Sequence, residues 1–68
     1  MQVIVRNPRR ELTLTGVRSV ANLLRQLEIH PETVLVIVNG ELVPKDASLS
    51  DTDAVEIRSV ISGGSDSA

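Results

Sequence analysis

The sequence predicts an α+β fold in which a mixed five-stranded sheet packs on one helix, in the order β-β-α-β-β-β. Short apolar segments, several with period-two alternation, flank one segment of helical periodicity. Asn39 followed by Gly40 is the strongest two-residue hairpin signal, and it separates two of these segments. With 68 residues and neither cysteine nor aromatic residues, the chain is one small domain with an aliphatic core.

The first two strands are predicted to form a hairpin. Residues 1–6 place Val3 and Val5 on one face, and residues 11–15 alternate between polar and apolar side chains. The turn between them, residues 7–10, contains a proline, whose fixed φ favours a turn.

A single helix is predicted after Gly16. Ser19 suits the N-cap because its hydroxyl can accept from a backbone N–H of the first turn. The apolar residues that follow have the spacing of one helix face: Val20, Leu23, Leu24 and Leu27. Pro31 is expected to end the helix, because the residue before a proline avoids the α region. His30 is expected to finish the helix, where a cation suits the helix dipole.

Residues 33–38 are mostly β-branched and predict a central strand, with both faces covered or one face reserved for a partner. We expect Val34, Val36 and Val38 to face the helix, because the hairpin would then bring Val38 near Leu42 on the core side.

The second half of the sheet follows from the hairpin. Residues 41–43 form a short return strand, and residues 45–52 are a polar loop with Leu49 as its inward anchor. Residues 53–61 form the last strand, with Val55 and Ile57 on one face and Glu56 and Arg58 on the other.

Catalytic and metal-binding chemistry is not indicated by the side chains. One histidine without cysteine builds neither a convincing metal site nor a nucleophile–base pair. Asp46, Asp51 and Asp53 lack the spacing of a calcium loop, and we expect them to cap turns and strand ends. No bound metal or cofactor is therefore predicted.

The composition argues against certain binding partners and against a membrane or secreted location. A net charge of −2 and the lack of aromatic residues disfavour nucleic-acid binding. No apolar run approaches the roughly 20 residues of a bilayer span, and residues 1–6 lack signal-peptide features. We expect a soluble, cytoplasmic chain with no membrane contact, monomeric when alone.

Three segments together resemble a known family: residues 36–44 (VIVNGELVP), residues 53–57 (DAVEI), and the pair Gly63 and Gly64. They are similar to the ThiS and MoaD types of small sulfur carrier, from thiamin and molybdopterin biosynthesis, and to related bacterial ubiquitin-like modifiers. The hairpin motif favours the thiamin type. The resemblance covers residues 1–64. It implies the β-grasp, or ubiquitin-like, fold, whose first and last strands pair in parallel at the centre of the sheet.

The resemblance implies a carrier rather than an enzyme. A ThiF- or MoeB-like activating enzyme would use ATP to adenylate the carboxylate of Gly64. A sulfur-donor protein would convert the adenylate to a thiocarboxylate, and a biosynthetic acceptor enzyme would receive the sulfur. In modifier relatives the activated glycine instead forms an amide with a target lysine.

The tail departs from the family pattern, because Gly64 is joined to Ser65 and a peptide carbonyl cannot be adenylated. We expect the Gly64–Ser65 bond to be a processing site, at which a JAMM-type metalloprotease, as in some relatives, removes residues 65–68. Residues 1–62 are thus predicted as the folded domain and 63–68 as a flexible tail. Ser62 and Gly63 would form the narrow extension that reaches the adenylating centre, since glycine has no Cβ.

The open face of the sheet is expected to carry a docking patch for the activating enzyme and the acceptor: Ile4, Leu35, Ile37 and Val60. The alternative is that these are scattered surface apolar residues, which are common. Lys45 is the only lysine. Conjugation of the chain to itself is therefore limited to Lys45 and the Met1 amine.

Overall fold

The computed structural model describes residues 1–6 and 9–60. Its elements are strands β1 (Gln2–Val5) and β2 (Arg10–Thr13), helix α1 (Val20–Gln26), a 3-10 helix (Pro31–Thr33), and strands β3 (Val34–Val38), β4 (Glu41–Val43) and β5 (Ala54–Ser59). The predicted order is confirmed, and the 3-10 helix is an addition to it. Predicted strand ends differ from these bounds by one or two residues, and Ile61 lies outside the described residues.

The strands form one sheet in the order β2-β1-β5-β3-β4. Strand β1 runs parallel to β5, and Val3 lies opposite Val55. The other neighbouring pairs are antiparallel. The central position of β5 and its parallel partner are those of a β-grasp sheet, so the predicted fold class and the predicted parallel pairing are confirmed.

The core lies between the helix and one face of the sheet. Period-two alternation places Val3, Val36, Val55 and Ile57 on this face, and all four are fully buried. The remaining buried apolar residues come from the N-terminus, the approach to the helix, the helix, the start of β3 and the polar loop: Met1, Val17, Val20, Leu23, Leu24, Val34 and Leu49. The prediction that Leu49 anchors its loop is confirmed.

The turn between β3 and β4 sets the register of the second hairpin. Asn39 has φ 52° and Gly40 has φ 85°, which is the left-handed backbone of a two-residue type I′ turn. A two-residue turn pairs Val38 with Glu41 and Ile37 with Leu42. The prediction that Val34, Val36 and Val38 face the core is confirmed by their burial.

The reason given for that prediction is wrong. Leu42 does not lie near Val38 on the core side, because the turn length pairs it with Ile37 on the opposite face. Its exposed fraction of 62% is the largest among the exposed large hydrophobic side chains of the described residues.

Helix α1 begins as predicted, since the Ser19 Oγ accepts from the Asn22 backbone N–H at 3.1 Å. Its end differs from the prediction. Glu28 adopts φ 60°, and the N–H groups of Glu28 and Ile29 donate to the carbonyls of Arg25 and Leu24. This is a Schellman cap, which ends the helix at Gln26.

Pro31 and His30 therefore have other roles than the predicted ones. Pro31 occupies the first turn of the 3-10 helix, where its missing N–H costs nothing. His30 precedes that helix, and its carbonyl accepts from the hydroxyl and the N–H of Thr33. The basic residue in the last turn of α1 is Arg25.

Candidate functional site

The predicted acyl site and its surroundings, Ser62, Gly63, Gly64 and Ser65, lie outside the described residues, as does the predicted domain boundary at residue 62. The structure describes the point from which they continue. The Val60 N–H donates to the Thr33 carbonyl at 3.0 Å, one residue beyond the end of β5. The tail therefore continues from β5, the central strand of the sheet. Strand β5 is hydrogen-bonded to β1 on one side and to β3 on the other.

The open face has an apolar half over β3 and β4. Leu35 is 41% exposed, and Ile37 lies next to it on the same face of β3 with Leu42 as its cross-strand neighbour. Val60 continues the outward alternation of β5 and is 47% exposed. Leu35 and Ile37 thus lie together on β3, and Val60 lies beyond Arg58 on the line of β5. Leu42 belongs with them and was missed, although the two-residue Asn-Gly turn already implied its pairing with Ile37.

The other half of the open face is charged. Oε2 of Glu56 accepts from Nε of Arg58 at 2.7 Å and from Nε of Arg6 at 2.8 Å. The hydrogen bond from Arg58, reinforced by that from Arg6, lowers the pKa of Glu56. All three groups are solvent-accessible, so these ion pairs orient the side chains more than they stabilise the fold.

This cluster interrupts the predicted docking patch. Ile4 on β1 and Ile37 on β3 are the cross-strand neighbours of Glu56 on its two sides. Ile4 is half-buried and is separated from the apolar half by the Glu56 carboxylate. The predicted residues share a face, and the structure divides that face into an apolar half and an arginine-rich half.

Of the three aspartates predicted to cap turns and strand ends, Asp51 and Asp53 accept hydrogen bonds from backbone N–H groups, as predicted. Oδ1 of Asp51 accepts from the Gly16 N–H at 3.0 Å. Asp53 accepts from the Ser50 N–H and from Nδ2 of Asn39, and these hydrogen bonds lower its pKa. Within residues 1–6 and 9–60, Asp46 has no hydrogen bond or ion pair, and no three acidic or histidine side chains are grouped to hold a metal ion.

Comparison with known proteins decides the family. The model of the ThiS family matches residues 3–64. The chain belongs to the ThiS family. It is also 35% identical over 65 residues to the sulfur carrier protein TtuB of Thermus thermophilus, with 94% of this chain and 100% of that protein covered.

Membership of the ThiS family confirms the resemblance drawn from the hairpin, the last strand and the glycine pair. ThiS-family proteins are small carriers rather than catalysts, so this chain is a carrier and not an enzyme. The match ends at Gly64, which leaves residues 65–68 beyond it. In the part of the chain that the structure describes, no helix is long and apolar enough to cross a membrane.

Proposed function

We propose that this protein carries sulfur on the carboxylate of Gly64. A protease first removes residues 65–68. An activating enzyme of the ThiF or MoeB type then adenylates Gly64 with ATP. A sulfur-donor protein converts the adenylate to a thiocarboxylate, and an acceptor enzyme uses that sulfur to build a cofactor or another metabolite. The protein itself binds no cofactor, and it acts in the cytoplasm, where its activating enzyme finds ATP.

The observation that carries this proposal is the coincidence of the family match with the glycine pair, which begins four residues after the central strand β5 in the sequence. The match stops at Gly64, the second glycine of the pair. Residues 61–64 can span at most about 13 Å beyond Val60. This length is enough to present a carboxylate to an enzyme while the folded domain stays outside the enzyme's active site.

The apolar half of the open face supplies the docking surface in this proposal. Leu35 and Val60 lie near the point from which the tail continues, and Ile37 and Leu42 lie farther along β3 and β4, toward the Asn39–Gly40 turn. An enzyme that covers them gains apolar burial next to the tail it must receive. The predicted patch thereby gains Leu42, and Ile4 contributes from across the Glu56 cluster.

The test uses a 1–64 form, the cognate activating enzyme, ATP and a sulfide source, with intact mass as the readout. We expect a mass gain equal to the exchange of one oxygen for one sulfur. The 1–68 form is the matched control and should remain unchanged, because its Gly64 has no carboxylate. A Gly64→Val form of the 1–64 chain that is adenylated as efficiently as the wild type would contradict the assigned acyl site.

Processing is tested separately by mass spectrometry of the protein from its native cells. The proposal expects chains that end at Gly64. If every chain retains Ala68 while the carrier is active, the processing step is wrong.

The second candidate is a ubiquitin-like modifier joined through Gly64 to target lysines. Residues 65–68 favour this candidate, because some bacterial ubiquitin-like modifiers carry residues after the glycine pair that a protease removes. The chemistry differs only in the nucleophile that attacks the adenylate. Amide-linked Gly64 remnants on other proteins in native cells would support the modifier, and a thiocarboxylate on the free chain would support the carrier.

A further inference from the structure

The turn between β3 and β4 contains the only asparagine–glycine pair in the sequence, Asn39 and Gly40. In such a pair the backbone nitrogen of the glycine can attack the asparagine carboxamide, because glycine has no side chain to obstruct the approach. Both residues are exposed, and among the described residues the space beside the Gly40 Cα is open. Solvent therefore reaches both the attacking nitrogen and the carboxamide.

The two other asparagines of the sequence lack such a nucleophile. Asn7 precedes a proline, whose nitrogen carries no hydrogen. Asn22 lies within α1 and precedes Leu23, whose N–H donates to the Ser19 carbonyl at 3.0 Å. The side chain of Leu23 is fully buried, so its nitrogen is both hydrogen-bonded and crowded. Position 39 is therefore the asparagine at which ring closure meets the least resistance.

The fold restrains the carboxamide of Asn39. Its Nδ2 donates to Oδ1 of Asp53 at 2.9 Å, and its Oδ1 accepts from the Ala54 N–H at 3.0 Å. Oδ2 of Asp53 accepts from the Ser50 N–H at 2.9 Å, which fixes the carboxylate that holds Nδ2. Ring closure makes the planar carboxamide carbon tetrahedral and expels Nδ2, so both hydrogen bonds of the Asn39 side chain must break. The attack thus requires that the turn separate from the start of β5, which is a local opening of the fold.

We propose that Asn39 is a deamidation site whose reaction is controlled by this local opening. The Gly40 nitrogen loses its proton to solvent, attacks Cγ of Asn39 and forms a C–N bond. The bond from Cγ to Nδ2 breaks, and ammonia leaves after Nδ2 takes up a proton. Water then adds to either carbonyl of the resulting succinimide ring and breaks the ring C–N bond at that carbonyl. The product at position 39 is an aspartyl or an isoaspartyl residue.

Neither product restores the link between the turn and β5. The Ser50 N–H and the Asn39 carboxamide lower the pKa of Asp53, which is therefore a carboxylate at neutral pH. The aspartyl product replaces the donor at Nδ2 with a second carboxylate facing it. The isoaspartyl product adds one backbone carbon to a turn whose two-residue length pairs Val38 with Glu41. Because ammonia is lost, the modification permanently marks chains in which the turn has opened.

The first test follows the 1–68 chain in neutral buffer by intact mass and peptide mapping, with and without enough guanidinium chloride to unfold it. Deamidation at position 39 should be at least about fivefold slower in the folded chain, because two hydrogen bonds of ordinary strength must break first. Asn39→Gly is the matched blank and should show no comparable mass change. Equal rates in the folded and unfolded chains would overturn control by the fold, and deamidation mainly at position 7 or 22 would overturn the site.

The second test separates local opening from unfolding of the whole domain. Asp53→Ala removes the acceptor of Nδ2 and should deamidate about threefold faster or more than the wild type in native buffer, with equal rates in denaturant. Asp51→Ala is the matched control, since it removes an aspartate that accepts from the Gly16 N–H and leaves both hydrogen bonds of the Asn39 side chain in place. Its native rate should equal that of the wild type. Equal acceleration in both variants, or none in Asp53→Ala, would overturn the local opening.

The first test needs no folded variant and decides the proposal even if Asp53→Ala does not fold. The consequence for the fold is measured on deamidated wild-type chains separated from unmodified ones by their extra negative charge. The deamidated chains should unfold at a lower guanidinium chloride concentration than the unmodified chains. Identical unfolding midpoints would show that the hydrogen bonds of Asn39 do not link the turn to β5 as proposed.

Discussion

The side chain of Asn39 donates from Nδ2 to Oδ1 of Asp53 at 2.9 Å, and its Oδ1 accepts from the Ala54 N–H at 3.0 Å. One turn residue thus joins the β3–β4 hairpin to the residues that begin β5. The Asn39 N–H also donates to the Ala54 carbonyl at 2.7 Å. Asn39 therefore has two functions, since it adopts the positive φ of the turn and aligns the central strand from which the tail continues.

The two functions of Asn39 can be separated by substitution. Asn39→Gly keeps the positive φ and removes two side-chain hydrogen bonds, so it should lower the free energy of unfolding by about 1–2 kcal/mol. Asn39→Asp should be more destabilising, because its carboxylate would face that of Asp53. Urea titration measures both. An Asn39→Asp protein as stable as the wild type would contradict this view of the turn.

The end of helix α1 contains a residue that glycine should improve. Glu28 has φ 60°, a region that costs a residue with a Cβ roughly 1 kcal/mol or more. Glu28→Gly should raise the free energy of unfolding by about 0.5–1 kcal/mol. Gln26→Gly is the matched control within the helix and should lower it by about 1 kcal/mol. Similar losses in both variants would argue against the Schellman cap.

Truncation of two leucines should lower stability to very different extents. Leu24→Ala creates a cavity in the core and should cost about 2–5 kcal/mol of stability. Leu42→Ala removes a side chain from the exposed face and should change stability by about 0.5 kcal/mol or less. Thermal or urea unfolding measures both effects. A large loss in Leu42→Ala would show that Leu42 packs in the core after all.

The docking role of Leu42 has its own readout. Leu42→Asp should raise the KM of the activating enzyme for the 1–64 chain and leave the kcat of adenylation unchanged, because Gly64 is intact. Ala21→Asp is the matched control, since Ala21 is an exposed apolar residue on the helix. Equal KM values for Leu42→Asp, Ala21→Asp and the wild type would exclude the apolar half as the enzyme's docking surface.

Stability should fall in acid partly through Glu56. Its pKa in the folded protein lies below the ordinary value of 4.5, chiefly because of the hydrogen bond from Arg58. The stabilisation is therefore complete above the unfolded pKa and is lost as the pH falls through the folded pKa. The difference in stability between the wild type and Glu56→Gln should shrink as the pH drops below about 4.5. Urea unfolding at a series of pH values measures this difference.

Local sequence signals determined most of the elements. The alternation of Val55, Glu56, Ile57 and Arg58 needs no tertiary information to place two side chains inside and two outside, because successive residues of a strand point to opposite faces. Ser19 and the helical spacing after it located the start of α1 for the same kind of local reason. The glycine pair and the hairpin motif carried the family resemblance.

The tertiary structure decided what depends on how distant segments meet. The helix ends at Gln26, well before Pro31, because a Schellman cap holds Glu28 at positive φ, a conformation that local preference for glutamate argues against. Glu56 divides the open face because β5 lies between β1 and β3, which places Ile4 and Ile37 on its two sides.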